Sequence, residues 1–311
     1  MNWNLGLLPP AASTFAPDLD RMLYALIGVT IFFAVLIGYF ILYYSIRFKR
    51  SRNLLPPPPT KTFVPLEIAW TVIPLAIALS FFVWGGKLFL HEYSNGPKDS
   101  YEVYVLGKQW MWKFQHPGGR MEINELHVPV GRPVRLIMVS EDVIHDVYIP
   151  AFRIKHDVLP MRYTTLWFEA TKEGQYHLFC SQYCGTKHSA MVAEVFAIPP
   201  ARFEQWLEGT KPQASPVEGG DALLDSLGCR TCHRPGSTAM APELEGLFGA
   251  RVALSDGSSL IADENYIRES ILDPKAKVVA NFQPVMPSYQ GRVTEADLVQ
   301  IVSYLKSVGA K

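Results

Sequence analysis

The densest chemistry in this chain lies in Cys180-Ser-Gln-Tyr-Cys-Gly-Thr-Lys-His188-Ser-Ala-Met191, where two thiols, an imidazole and a thioether fall close together. Soft sulfur donors beside imidazole select copper, zinc or iron–sulfur chemistry. Structural zinc has no use for a thioether, and an iron–sulfur cluster usually takes four thiolates. Two thiolates can instead bridge a pair of copper ions, with His188 and Met191 as terminal ligands. Such a pair needs a second imidazole from elsewhere. His116, His127, His145, His156 and His177 all precede the cysteines, and periodicity does not choose among them. Outside the cytoplasm a bare C-x-x-x-C would read first as a disulfide. Gly185, His188 and Met191 at these offsets favour metal.

The other two cysteines form Cys229-Arg-Thr-Cys232-His233. C-x-x-C-H is the attachment signal for c-type haem, with the thiols bonded to the haem and the histidine on iron. A thioredoxin-like pair would want a βαβ setting, which is absent from the pattern, and would leave His233 unexplained. A methionine as sixth iron ligand raises the potential. Met240 and Met286 are the candidates.

The elements that must position these residues fall into three blocks. Met22 to Ile46 carries no charge and exceeds the roughly 20 residues that span a bilayer. A signal-peptide core would be shorter, with a basic start, whereas Asp18, Asp20 and Arg21 stand here. A second apolar run begins at Ile68 and contains Pro74, which a packed membrane helix tolerates. Arg47, Lys49, Arg50, Arg52 and Lys61 lie between the runs, so the positive-inside rule puts this loop in the cytoplasm and both termini outside. Pro56 to Pro59 would stiffen the connection in extended form. Glu67 sits at the cytoplasmic edge of the second run, and an ionisable group there is a functional candidate.

Beyond Tyr93-Ser-Asn-Gly-Pro the pattern changes to short runs rich in Val, Ile, Tyr and Trp: Tyr101–Leu106, Trp110–Phe114, Val134–Val139 and Tyr163–Phe168. Such runs predict an all-β sandwich or barrel. Trp110, Trp112 and Phe114 would share one strand face. Lys211-Pro-Gln-Ala-Ser-Pro-Val-Glu-Gly-Gly reads as a linker. Past it, Asp221 to Leu227 predicts a short helix, and Thr294-Glu-Ala-Asp297 predicts a helix start with Leu298, Ile301, Val302 and Leu305 as its apolar stripe. The net charge is zero, which gives nucleic acid no electrostatic footprint.

These motifs together resemble subunit II of haem–copper cytochrome c oxidases, over nearly the whole chain. The tail makes the resemblance one to the caa3 type, in which a cytochrome c domain is fused to the copper subunit. The implied fold is a multidomain membrane protein: a two-helix transmembrane hairpin, an all-β cupredoxin-like Greek-key barrel, then an all-α class I cytochrome c domain. Expected boundaries are 1–92 for the hairpin, with spans about 22–46 and 68–90, then 93–210 for the copper domain and 211–311 for linker and cytochrome. The implied location is the bacterial plasma (inner) membrane, with both redox domains on the outer, periplasmic face.

By the same resemblance, Cys180 and Cys184 bridge a binuclear copper centre of the CuA type, and Glu141-Asp-Val-Ile-His145 supplies the second imidazole. Met191 and the Gln182 backbone carbonyl are weak axial ligands. Many relatives have glutamate at this position, and its carboxylate helps hold magnesium at the subunit interface. Gln182 offers only a neutral amide, which argues against that magnesium site. Gln283-Pro-Val-Met286-Pro resembles the distal loop of the cytochrome fold, so Met286 becomes the sixth ligand of a covalently attached haem c. Met240-Ala-Pro242 resembles its proximal loop, where the Pro242 carbonyl serves His233; Ala241 stands in place of the usual glycine. The family's matching tryptophan admits electrons, which makes Trp110 the candidate entry, and its matching glutamate opens a proton path, which makes Glu67 the candidate mouth.

The implied function is electron entry to a terminal oxidase. Electrons arrive at haem c from a cytochrome c, another small carrier or an upstream complex. They pass to copper and then to subunit I, where oxygen becomes water and protons are pumped. The rival readings are the same relay serving a nitric oxide reductase, and a membrane-anchored electron carrier or copper-handling protein with no oxidase partner. A quinol oxidase subunit is disfavoured, because that branch has lost the copper ligands retained here.

Overall fold

The computed structural model describes residues 8–49, 62–94, 96–209, 215–233 and 241–309. Arg50, Arg52, Pro56 to Pro59, Lys61, the linker from Lys211 to Ala214 and Met240 lie outside the described residues. Contacts divide the chain into two compact units, Thr14–Ser94 and the remainder.

The first unit is a hairpin of α1 (Ala16–Arg47) and α2 (Val64–Glu92). At 1.5 Å per residue they are about 48 and 43 Å long, more than the roughly 30 Å hydrocarbon core. None of the most apolar window of either helix is buried within the chain. A soluble core helix would hide that surface; these need a lipid or protein partner. Two hydroxyls in the spans are satisfied by their own helix: Thr30 donates to the Leu26 carbonyl and Thr71 to that of Glu67. Glu67 stands in the first turn of α2.

The second unit begins with the copper-motif domain. Its strands are β1 (Tyr101–Lys108), β2 (Met111–Gln115), β3 (Met121–Ile123), β4 (Glu125–Pro129), β5 (Pro133–Ser140), β6 (His145–Ile149), β7 (Ile154–Val158), β8 (Thr164–Glu169), β9 (Gly174–Cys180) and β10 (Val192–Ile198). They form two five-stranded sheets, ordered β3-β2-β1-β5-β8 and β4-β10-β9-β6-β7. β10 alternates buried and half-buried residues, as a strand with one wet face should. β1 and β5 differ. They pair in parallel, and both bury consecutive residues, Val103 to Leu106 and Leu136 to Val139. Residues ahead of α1 also join the barrel: the Ala12 amide donates to the Ala151 carbonyl, and the Thr171 amide to that of Ala12.

A polar knot closes one edge. Buried Glu122 receives His116 Nε2 at 2.8 Å, His127 Nδ1 at 2.5 Å and the His127 amide at 2.9 Å. The His127 ring stacks 4.4 Å from Trp206 on helix α3 (Pro200–Glu208), and the Arg120 guanidinium covers the same indole. The knot thus fastens the end of this domain just before the linker.

The tail carries α4 (Pro216–Ser226), a small ribbon of β11 (Arg251–Ala253) and β12 (Ser259–Ile261), α5 (Glu264–Leu272) and α6 (Glu295–Ser307). Capping boxes start α4 at Ser215 and α6 at Thr294. Helices α4 and α6 cross so closely that a Cβ on Gly220 would overlap the Gln300 carbonyl.

Burial pushes the Glu122 carboxyl up, but the hydrogen bonds from His116 and His127 outweigh it and hold it at about 2. Because the folded pKa is depressed, this stabilisation is complete above the ordinary value near 4.5 and is lost as pH falls towards about 2. Glu122→Gln should therefore flatten the pH dependence of thermal unfolding in that window. An unchanged slope would deny the knot this role.

Candidate functional site

Six residues named from the motif and the resemblance meet at one end of the barrel. β9 ends at Cys180 and β6 begins at His145, and the two strands are hydrogen-bonded neighbours. That pairing brings a histidine from a distant part of the chain beside the cysteine. A tight loop then carries Cys184 back, a short 3₁₀ turn presents His188, and Met191 precedes β10. Gly185 sits at φ +115°, and a Cβ there would press on Gln109 and Trp110 at 3.1 Å.

The sulfurs of Cys180 and Cys184 stand 3.7 Å apart, both thiols free. A disulfide would bring them to about 2.05 Å. His145 Nδ1 lies 3.9 Å from Cys180 Sγ, and His188 Nδ1 lies 3.5 Å from Cys184 Sγ. Met191 Sδ is 3.9 Å from Cys184 Sγ, and the Gln182 carbonyl is 3.2 Å from Cys180 Sγ. One donor atom each from His145, Cys180 and Cys184 falls within a 4.8 Å cluster. The arrangement has an imidazole on each flank of a sulfur pair, with the weaker thioether and carbonyl donors beside it. This is the donor set that suits copper.

The surrounding groups orient these donors. Asp142 Oδ1 lies 2.8 Å from His145 Nε2, and Asp142 Oδ2 accepts from the Gln109 amide at 2.8 Å. The carboxylate takes the Nε2 proton and leaves the Nδ1 lone pair facing the sulfurs. Burial raises both thiols. At Cys180 the His145 contact and the Asp146 backbone outweigh burial and lower its pKa; at Cys184 the neighbouring Cys180 adds to burial and raises it. A thiolate-binding cation would displace the protons from both.

Trp110 is not on the strand face expected for it. It lies in the β1–β2 turn, while Trp112 and Phe114 are fully buried in the core. From the turn its Nε1 donates to the Cys184 carbonyl at 3.1 Å, beside Gln109 Nε2 at 2.7 Å. Asp142 and Gln109 were not singled out from the sequence. Their signal was closeness to His145 and Trp110. The remaining histidines go elsewhere: His116 and His127 to Glu122, His177 to Glu194, and His156 to the Asp157 carbonyl.

In the tail, Cys229, Cys232, His233 and Met286 line one cavity of about 380 Å3, mostly apolar, within the range of cofactor sites. His233 Nδ1 donates to the Pro242 carbonyl at 2.7 Å, which leaves Nε2 free as a ligand. Arg230 ties the motif to Asp221 and Asp225 of α4 and to Tyr304 of α6. Two free thiols, a fixed imidazole and a thioether on one apolar cavity fit a c-type haem.

Fold and sites define a membrane-anchored electron-transfer protein with a copper-type domain and a cytochrome-type domain. Family models agree: the transmembrane domain of cytochrome c oxidase subunit II matches residues 1–83, its periplasmic domain matches 119–198, and cytochrome c matches 217–309. Cytochrome c oxidase subunit 2 of Synechocystis sp. is 31% identical over 256 residues, covering 67% of this chain and 77% of that one. The subunit 2 of Cereibacter sphaeroides is 30% identical, covering 64% and 78%. A crystal structure of the periplasmic domain of subunit II of cytochrome oxidase from Bradyrhizobium japonicum is 31% identical, covering 36% of this chain and 94% of that one, with a TM-score of 0.35. The chain belongs to the cytochrome c oxidase subunit II family, and its fused cytochrome c domain fits the caa3 type. It is a subunit of a haem–copper oxidase, an oxidoreductase.

The Asp142 contact predicts a measurable loss. Asp142→Ala should weaken copper binding about 10-fold or more, and Asp142→Asn, which keeps an acceptor oxygen, should recover most of it. Competition against a copper chelator checks this; equal affinity in all three proteins would remove Asp142 from the site.

Proposed function

We propose that this chain is the electron-entry subunit of a terminal oxidase, taking electrons at a covalently bound haem c, passing them to a binuclear copper centre and on to subunit I, where oxygen is reduced to water with proton pumping. The observation that carries the reading is the sulfur pair flanked by His145 and His188 at the barrel end. Both groups supply one-electron transfer when bound. The chain's own part is to hold them. Cys180, Cys184, His145, His188, Met191 and the Gln182 carbonyl would hold the copper pair. Cys229 and Cys232 would anchor the haem, and His233 and Met286 would ligate its iron.

A rigid barrel keeps those donors in place whichever charge the metals carry, so little reorganisation accompanies electron transfer. Trp110 remains the candidate for direct entry at copper, supported by its bond to the Cys184 carbonyl. Glu67 remains the candidate mouth of a proton path, on its position in the first turn of α2. Gln182 lacks the carboxylate that would favour magnesium. The location is the bacterial inner membrane, with two spans. Both termini and both redox domains lie outside, a topology supported by the bonds of Ala12 to the barrel just ahead of α1. Subunit I is the partner, and a cytochrome c, another small carrier or an upstream complex is the donor. Relay to a nitric oxide reductase, or a free carrier, is disfavoured by the oxidase relatives.

Cys184→Ala tests the relay. It removes one bridging thiolate, so the copper pair should fail to form while haem c assembles from separate residues. In the purified complex, haem c should still be reduced by a donor, but oxygen consumption should collapse and haem c should remain reduced. Normal re-oxidation of haem c without the copper pair would overturn the serial order.

A further inference from the structure

β1 and β5 present a second apolar face, on the outside of the barrel. Inward residues alternate with Tyr104 and Leu106 on β1 and with Ile137 and Val139 on β5, and all four outward side chains are buried. They form one hydrophobic cluster with Tyr163, with Val252 and Leu254 of the tail ribbon, and with residues of α5 and α6. Polar groups frame it. Lys306 on α6 reaches Glu102 on β1 at 2.6 Å and Glu264 on α5 at 3.1 Å. The Tyr163 amide donates to Asn265 Oδ1 at 2.7 Å. Arg268, only 4% exposed, grips Glu295 and also donates to the Met161 carbonyl, which a left-handed residue at φ +66° presents.

We propose that the cytochrome domain is clamped to the outer face of β1 and β5 as a fixed relay, by the helix faces turned away from its haem cavity. Helix geometry carries the second half. Ile301 and Leu305 of α6 line the cavity, whereas Ser303 and Lys306 meet the barrel at Tyr104 and Glu102. At about 100° per residue the two faces lie roughly 150° apart around the helix. On α5, Ile267 and Ile271 line the cavity, whereas Asn265 and Arg268 meet the barrel. Among the described residues, the copper domain contributes nothing to the cavity wall, whose lining runs from Leu224 to Leu305.

The alternative is a domain swinging on its linker. That would expose the apolar cluster and break the Lys306–Glu102 and Arg268–Met161 contacts, although Lys306 keeps Glu264, Glu102 keeps Arg135 and Arg268 keeps Glu295. The inference goes beyond the electron relay and does not need it, because its test reads position alone.

The test cuts the linker. A protease site is placed between residues 210 and 214 of the full chain in the purified oxidase, and the cleaved complex is washed on a column. The clamp predicts that the haem c absorbance stays with the complex. Ile137→Asp, which leaves the cytochrome sequence untouched, and Lys306→Glu, which leaves the barrel untouched, should each speed release about 10-fold or more. The haem c spectrum before cleavage confirms that the released domain is folded. Prompt release of the wild-type domain with its spectrum intact would overturn the clamp, as would retention of both variants as tight as wild type.

Discussion

The sulfur pair at the end of the barrel is the constraint on which the rest depends. The fold holds two thiols 3.7 Å apart without a bond between them. Burial raises both, and Cys180 further raises the cost of ionising Cys184. Local hydrogen bonds relieve only Cys180. Cys180 and Cys184 would both give up their protons to a soft cation held here. The fold's work is to keep the sulfurs from collapsing into a disulfide before that happens. It does so by placing Cys180 at the end of β9, paired with β6, and by pinning the returning loop through Gln109 and Trp110 to the Cys184 carbonyl.

That division of labour explains what was legible in the sequence. Cys180 to Met191 is local, so its chemistry could be read from spacing alone. The same holds for Cys229 to His233. His145 is distant, and only the resemblance singled it out from five histidines; the β6–β9 pairing that selects it is a long-range contact. The knot of His116, Glu122 and His127 is local, yet nothing in its spacing marked it, because its side chains meet only once the chain turns between β2, β3 and β4. Trp110 was placed on a strand because aromatic alternation continues through it, yet the chain turns there to reach the copper loop. The runs Tyr101–Leu106 and Val134–Val139 signalled strands, and β1 and β5 lie there. That both faces of these strands are buried, and which domain covers the outer one, was not read from the sequence.

The three domains then form a graded series of environments. The hairpin exposes apolar surface on every side, which suits lipid and a membrane partner. The barrel is rigid and closed by the Glu122 knot. The cytochrome domain is a small helical shell around a cavity, with capped helices and a glycine crossing between α4 and α6 that no larger residue fits. Its outer surface shares a core with the barrel, so the second unit holds two domains joined by more than their linker.

The central claim is that the barrel end holds two copper ions bridged by Cys180 and Cys184. Electron spin resonance of the oxidised wild-type complex, together with copper analysis per chain, tests it most directly. The account predicts a pair of coppers and a hyperfine pattern from one electron shared equally by two copper nuclei. A pattern from a single copper nucleus, or a silent site occupied by zinc, would contradict it.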